Sequence, residues 1–190
     1  MRFLRLSSLL LLVLTAAGCC SIVAKSGDAK ILSCPQLIHT RGSKFFRMEL
    51  PTVSIAQVGT HILHVRDLPA YLKDLFRYDL SMAVTYGEVL SGENAPWRNA
   101  KISIAFQKLD GAEVFKQSLL LGATSHGFSQ SHDGWEAGWN LGAGPYNMDP
   151  IQVAEGSFDI VVTVEQPSRR PSDQISISAF AVYTNSPETH

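Results

Sequence analysis

The side chains best suited to binding chemistry are concentrated between Gly122 and Pro150. Two of the three tryptophans lie in this segment, together with six of the fourteen glycines. Flat aromatic faces beside a few amides and carboxylates are typical of sites for carbohydrates and other small ligands. The glycines predict a long irregular loop, and aromatic residues are scarce in disordered segments, so we expect an ordered, functional loop. The candidate ligand-binding residues are Trp135, Trp139, Tyr146, Asp133, Asn140 and Asn147.

A second interpretation of the same aromatic residues is structural. Tryptophan and tyrosine bury large areas, so Trp135, Trp139 and Tyr146 would then fix the loop to the domain as a lid over its core. Exposure of the tryptophans separates the two interpretations, because a binding platform needs accessible ring faces.

Metal binding and catalysis are two other chemistries that the segment could support. His126 and His132, with Asp133 and Glu136, are metal-ligand types, but their spacing matches no metal-site motif, and solvated histidines are the simpler interpretation. Asp133, Glu136 and Asp149 could be a general acid and base, as in glycoside hydrolysis. No nucleophile elbow, phosphate loop or metalloprotease helix accompanies them. We therefore predict a non-enzymatic domain with no metal and no cofactor.

The amino-terminal residues have the layout of a secretory signal peptide. Arg2 and Arg5 precede an uncharged, mostly apolar run over residues 6–17, and small residues follow it. The run is far shorter than the roughly 20 residues that a membrane-spanning helix needs. We therefore predict that this segment is a signal peptide, which is removed after export.

The stretch Ala16-Ala17-Gly18-Cys19 resembles the lipobox of bacterial lipoproteins, in which small residues lead directly into a cysteine. The resemblance implies cleavage before Cys19, a diacylglycerol on its sulfur and a third acyl chain on its amine. Two or more acyl chains anchor a protein stably in a membrane. Cys20 follows where an aspartate would imply the inner membrane, so the resemblance implies the outer membrane of the cell envelope.

Two further cysteines remain once Cys19 carries lipid. Cys20 and Cys34 are an even pair in an oxidising compartment, where disulfides persist. They either form a disulfide near the anchor or stay as two free thiols. No spacing of cysteine and histidine matches a zinc site.

Charge and composition narrow the classes of partner. The formal net charge is −1, and removal of Arg2 and Arg5 makes the mature chain more acidic. Nucleic-acid binding needs a basic surface, and the remaining lysines and arginines are scattered. The expected partners are the membrane, through lipid on Cys19, and a glycan, small molecule or protein, but no nucleic acid.

Period-two alternation of apolar and polar residues predicts half-buried strands along most of the chain. Asp110-Gly111 between two such runs predicts a hairpin turn. The last two strands flank a polar loop at 167–172, and we expect them to pair as an antiparallel hairpin. The predicted strands cover residues 46–50, 53–58, 78–86, 101–107, 113–121, 157–165 and 174–184.

Two segments break this pattern. Residues 67–76 predict one short helix, with Asp67 as the cap and Pro69 in the first turn. Residues 20–43 show no clear period and predict a flexible tether between the anchor and the domain.

The strand pattern predicts a mainly β, single-domain antiparallel β-sandwich, Ig-like or jelly-roll-like, with a β-barrel as the alternative. The predicted divisions are a signal peptide over 1–18, a lipidated tether over 19–43 and a sandwich domain over 44–190. The Gly142–Asn147 stretch running into Asp149-Pro150 resembles uncharacterised Gram-negative lipoproteins, and this resemblance implies no activity. We predict an envelope lipoprotein that binds a ligand through residues 122–150. A structural or inhibitory subunit of an envelope assembly is the alternative, and a hydrolase is less favoured.

Overall fold

The structure is a computed structural model that describes residues 20–34, 43–70, 72, 76–91, 94–124, 127–131, 134–142, 151 and 156–184. Strands dominate the described residues, and two short helices, α1 at Tyr86–Ser91 and α2 at Leu121–Thr124, accompany them. The strands are β1 Ser21–Ser26, β2 Ala29–Cys34, β3 Ser43–Glu49, β4 Val53–Ser54, β5 Gly59–Val65, β6 Arg77–Val84, β7 Lys101–Lys108, β8 Glu113–Leu120, β9 Gly127–Ser131, β10 Gly134–Leu141, β11 Phe158–Gln166 and β12 Gln174–Thr184.

The strands form two separate antiparallel sheets. The larger sheet has the order β1-β2-β3-β12-β6-β10-β9, and β4 also pairs with β12. The smaller sheet has the order β5-β11-β7-β8. The predicted β-sandwich is therefore confirmed.

Aromatic side chains from both sheets meet at the centre of the core. Tyr78 of β6 makes an edge contact with Phe106 of β7, with ring centroids 4.7 Å apart. Phe106 stacks on Phe158 of β11 at 5.8 Å, and all three rings are buried. Burial raises the pKa of the Tyr78 hydroxyl, so it stays neutral in the core. Each aromatic pair contributes about 0.5–1.5 kcal/mol beyond its area burial, and the contact of Tyr78 with Phe106 holds the two sheets face to face.

Most predicted strands are confirmed to within a few residues, and the Asp110-Gly111 turn joins β7 to β8. Gly111 has a positive φ of 86°, and the amide of Lys108 donates to the carbonyl of Ala112 at 2.9 Å. The strand predicted over 53–58 is limited to β4, and β5 was not predicted.

The predicted tether over residues 20–43 is wrong for residues 21–34, which form the hairpin of β1 and β2 at one edge of the larger sheet. The turn of this hairpin packs against the end of β5. A Cβ at Gly27 would lie 2.3 Å from the carbonyl oxygen of His64, and Gly27 has a φ of 63°. The amide of Asp28 donates to that same oxygen at 2.7 Å. This close approach requires glycine in the turn.

Cys20 and Cys34 are joined by a disulfide in the structure. Cys34 is the last residue of β2 and pairs with Phe45 of β3. The bond therefore ties the start of the first hairpin to a strand that is itself paired on both sides.

The predicted pairing of the last two strands is wrong. β11 belongs to the smaller sheet and β12 to the larger one, so residues 167–173 carry the chain between sheets. Buried polar groups hold this crossing: Asp173 accepts hydrogen bonds from Ser168 and from Arg170. The amide of Ser168 also donates to the carbonyl of Ile55 at 2.8 Å.

The helix predicted over 67–76 is not present in the described part of that segment. Asp67 has a positive φ of 53° and does not cap a helix; its amide donates to the Ser157 hydroxyl at 2.9 Å. The amide of Leu72 donates to the carbonyl of Pro69 at 2.8 Å, which closes a turn. The apolar residues whose spacing predicted a helical face, Leu68, Leu72 and Phe76, are buried, and none of the three lies in a helix.

Removal of the disulfide tests its contribution to stability. Replacing Cys20 and Cys34 together by serine should lower the free energy of unfolding by about 3 kcal/mol, because the bond closes a loop of roughly 15 residues in the unfolded chain. Urea denaturation followed by circular dichroism measures this difference. The unsubstituted chain under reducing conditions is the control and should match the double variant. An unchanged urea midpoint in both would contradict the prediction.

Candidate functional site

The prediction of an irregular loop over residues 122–150 is wrong for its described part, which contains α2, β9 and β10. β10 pairs with β6 on one side and with β9 on the other. Its apolar residues alternate with polar or small ones, so one set faces the core and the other faces outward. The core-facing residues are Trp135, Ala137, Trp139 and Leu141, and the outward residues are Glu136, Gly138 and Asn140.

Trp139 belongs to the core and is not an accessible ligand-binding residue. Its side chain is buried, and its indole Nε1 donates to the carbonyl of Leu121 at 3.2 Å. The ring packs edge-on against buried Trp97, with centroids 5.9 Å apart. The prediction of a surface role for Trp139 is therefore wrong, and the alternative structural role is correct for this residue.

Trp135 lies on the same face of β10 but beyond the buried part of the core, and it is half-buried. Tyr86 of α1 covers part of it, with ring centroids 5.4 Å apart and an angle of 43° between the ring planes. Tyr86 is 56% exposed, and Leu90, one helical turn further, is 69% exposed. We call the surface formed by Tyr86, Leu90 and Trp135 the aromatic platform.

A capping box sets the start of the helix that carries Tyr86. The amide of Thr85 donates to the Glu88 carboxylate at 2.6 Å, and the amide of Glu88 donates to the Thr85 hydroxyl at 3.4 Å. The other oxygen of Glu88 is 2.8 Å from the Arg170 guanidinium, on the crossing between the sheets. Glu88 thus faces the protein, while Tyr86 and Leu90 share the outer side because residues four apart lie on one helix face.

The sequence pattern Thr-x-x-Glu at 85–88 is the signal that could have located this helix. The alternation over 78–86 instead placed Tyr86 at the end of a strand. β6 ends at Val84, so Tyr86 contributes to the platform although it was not among the predicted site residues.

Asn140 lies on the opposite face of β10 from Trp135, so the structure does not bring these two candidates together. It stands across from Asp79 of β6, and Asp79 stands across from Ser178 of β12. Burial between these strands raises the pKa of the Asp79 carboxyl. Glu136 also faces outward, so one of the candidate catalytic acids lies away from the aromatic platform.

The remaining candidates lie outside the described residues: Asp133, Tyr146, Asn147, His126, His132, Asp149 and Cys19. Their roles stay predictions. Within the described ranges, no group of three or more histidine, cysteine, aspartate or glutamate side chains could hold a metal ion. In the same ranges, no helix has the length and apolarity to cross a bilayer.

A polar cluster that the sequence did not predict lies where the β1–β2 turn meets the smaller sheet. One carboxylate oxygen of Asp159 is 2.6 Å from the Arg66 guanidinium and 2.9 Å from Nδ1 of His64. Burial alone would raise the pKa of Asp159, but hydrogen bonds from His64 and Arg66 and the charge of Arg66 lower it. Arg66 also donates to the carbonyl of Phe158 at 2.8 Å.

This polar cluster has the histidine and aspartate of a catalytic triad without its nucleophile. Among the described side chains, no serine, threonine or cysteine is hydrogen-bonded to the His64 imidazole. The Asp28 carboxylate accepts from the backbone amide of His64 at 2.7 Å, and the Ser26 hydroxyl donates to the carbonyl of Arg66. These bonds join the first hairpin to β5 and β11, so we assign the cluster a structural role.

A shallow cleft of about 280 Å³ opens at the start of β5. It is lined by Ser54, by residues 56–61, including His61, and by Pro171. None of these residues belongs to the aromatic platform, and none is aromatic apart from His61.

No protein-family model and no curated protein sequence matches the chain. Among solved structures, an arabinose-bound α-L-arabinofuranosidase is similar over 90% of this chain and 23% of that chain, with 10% identity and a TM-score of 0.31. The chain thus spans less than a quarter of that structure's length. A similarity this low supports no inference about function.

The lowered pKa of Asp159 predicts a pH dependence of stability. A carboxylate with a depressed pKa in the folded state stabilises the fold above its unfolded pKa of about 3.9, and this stabilisation is lost as pH falls through the folded pKa. Asp159→Asn should therefore be less stable than the unsubstituted protein near neutral pH, and the difference should shrink in strong acid. Urea denaturation across a pH series measures it.

Glu165→Gln is the matched control for this experiment. Glu165 lies on the same strand, and its ion pair with Lys101 is more exposed than that of Asp159 with Arg66. Exposed ion pairs contribute about 0–1 kcal/mol, so we expect a smaller effect. The structural role of the cluster would be contradicted if both variants lost the same free energy of unfolding. It would also be contradicted if the loss for Asp159→Asn did not depend on pH.

Proposed function

We propose that this chain is a cell-envelope lipoprotein, anchored by lipid on Cys19, whose β-sandwich domain is a non-enzymatic binding module. The observation that carries the binding role is the contact between the exposed ring of Tyr86 and the half-buried ring of Trp135. The platform replaces the broader 122–150 segment as the proposed contact surface.

The platform combines exposed apolar area with a fixed geometry. Single exposed apolar residues are normal, but adjacent ones mark interaction surfaces. The capping box and the Glu88–Arg170 ion pair hold α1, so Tyr86 is positioned before any ligand arrives. Positioning in advance lowers the entropy cost of binding.

The shape of the platform favours a ligand with flat apolar faces and a polar edge. The Tyr86 and Trp135 ring centroids are only 5.4 Å apart, so we expect the C–H face of a sugar ring to pack on the exposed side of the pair and not between the rings. We therefore infer an envelope glycan as the first ligand class.

A protein partner is the second candidate, and Leu90 favours it. Leu90 extends the apolar surface beyond the rings with an aliphatic side chain that is 69% exposed. Aromatic residues flanked by aliphatic ones are common at the centres of protein interfaces. In this alternative the domain is a structural or inhibitory subunit of an envelope assembly. Co-purification of one protein in stoichiometric amount from solubilised envelopes, lost in Leu90→Ser, would support it over the glycan.

Export and the lipid anchor are supported by two independent features. The sequence up to Cys19 has the order of a lipoprotein signal peptide. The disulfide between Cys20 and Cys34 is of the kind that forms and persists in oxidising compartments such as the periplasm.

Tryptophan fluorescence tests the platform directly, because Trp97 and Trp139 are buried and Trp135 is half-buried. Iodide should quench mainly Trp135, and a bound glycan should protect it. On a glycan array, Trp135→Ala and Tyr86→Ala should each reduce the signal about tenfold or more, which corresponds to about 1.4 kcal/mol for each lost ring.

Leu109→Ala is the control for the array, because Leu109 is also exposed but lies in the turn between β7 and β8. It should bind as the unsubstituted protein does. Binding that survives both ring substitutions would overturn the platform, and binding lost equally in Leu109→Ala would point to a general loss of folding.

Mass spectrometry of protein extracted from membranes tests the anchor. The mature chain should begin at Cys19 and carry the mass of a diacylglycerol, with or without a third acyl chain. Cys19→Ser should abolish both cleavage and lipid and leave the protein unanchored, because the acylated sulfur is gone. Cys20→Ser is the control and should keep the lipid. Lipid retained in Cys19→Ser but lost in Cys20→Ser would place the anchor on the second cysteine.

A further inference from the structure

The disulfide leaves no flexible tether between the proposed lipid anchor and the folded domain. Cys20 is bonded to Cys34 of β2, and β1 begins at the next residue, Ser21. Consecutive Cα atoms are about 3.8 Å apart, so lipid on Cys19 would start one peptide unit from a residue held by the sheet. A domain attached in this way stays close to the membrane surface.

The strand nearest the proposed anchor exposes aliphatic side chains. β1 is the outermost strand at its end of the larger sheet, and Ile22 and Val23 are 58% and 48% exposed. A β-bulge between Ile22 and Ala24 places Val23 where strict alternation is interrupted, and both aliphatic side chains are exposed at this edge. Exposed edge strands usually carry charge or are covered, because a bare apolar edge pairs with other chains.

Two lysines extend the same edge. Lys25 of β1 and Lys30 of β2 stand directly across from one another, and both are exposed. Like charges in this arrangement repel each other; Glu49 of β3 stands across from Lys30 on its other side, and anionic groups outside the protein would reduce the repulsion further. Phosphates of lipid headgroups are such groups, and they attract lysines placed near a membrane.

From these three features we propose that the β1 edge of the larger sheet rests on the phospholipid surface, with Ile22 and Val23 in the headgroup region and Lys25 and Lys30 against phosphates. This inference rests on the proposed lipid on Cys19. It deepens the proposed function, since it specifies which edge of the sandwich contacts the membrane.

The test uses the full lipidated protein in vesicles of phosphatidylethanolamine and phosphatidylglycerol with brominated acyl chains, which quench tryptophan fluorescence by contact. Val23→Trp places a reporter on the edge, and Leu109→Trp, at an exposed position in the turn between β7 and β8, is the matched control. The tryptophan at position 23 should be quenched at least twofold more than the one at position 109. Ile22→Trp is a second reporter if Val23→Trp does not fold.

The outcomes separate the inference from the proposed function. If mass spectrometry finds the lipid and positions 22, 23 and 109 are quenched equally, the edge contact is overturned while the anchor stands. If no lipid is found, the anchor fails and the inference fails with it. If crosslinking in detergent joins two copies through position 23, and vesicles cause no quenching, the edge is a pairing surface and the inference is overturned.

Discussion

The packing of Tyr78 against Phe106 and Phe158 is the contact on which the rest of the structure depends, because it joins the two sheets at their centres. Once the sheets face each other here, the alternation along each strand determines which side chains enter the core. On β10 this places Trp139 deep inside and leaves Trp135, four residues away on the same face, at the rim. Trp135 is only half-buried because it lies on the core-facing side of β10 at a position where the core ends.

The aromatic platform has a fixed shape because residues 167–173, which carry the chain between the sheets, hold α1 in place. Arg170 bonds Asp173 on its own segment and Glu88 on α1, so one guanidinium connects the crossing to the helix under the platform. Removing these charges from water costs free energy, and this cost is offset only when each charge has an oppositely charged partner. The position of Tyr86 is therefore linked to the same residues that let the chain pass from the smaller sheet to the larger one.

The fold class could be predicted because most strands alternate strictly, as Phe158, Ile160, Val162 and Val164 show. The pairing of the strands could not be predicted, because alternation shows which side chains are buried and not which strand lies next to which. The last two strands were therefore predicted to form a hairpin, whereas β11 and β12 belong to different sheets.

The candidate site was less predictable for local reasons. In Trp-Glu-Ala-Gly-Trp-Asn-Leu, at 135–141, the apolar alternation was present, but the glycines around it suggested a loop. The first hairpin buries few apolar side chains, notably Ala29 and Ile31, and its turn is fixed by backbone contacts to His64 that no sequence pattern records. Tyr86 was missed although the capping pattern at 85–88 was readable.

The position of β12 has a consequence for the order in which the molecule is completed. This last described strand lies in the interior of the larger sheet, between β3 and β6, and it also pairs with β4. Those earlier strands have no shared neighbour until β12 is in place, so β12 completes the larger sheet. Such an arrangement delays completion of the larger sheet until β12 is available, because its pairings join segments that are far apart in the sequence.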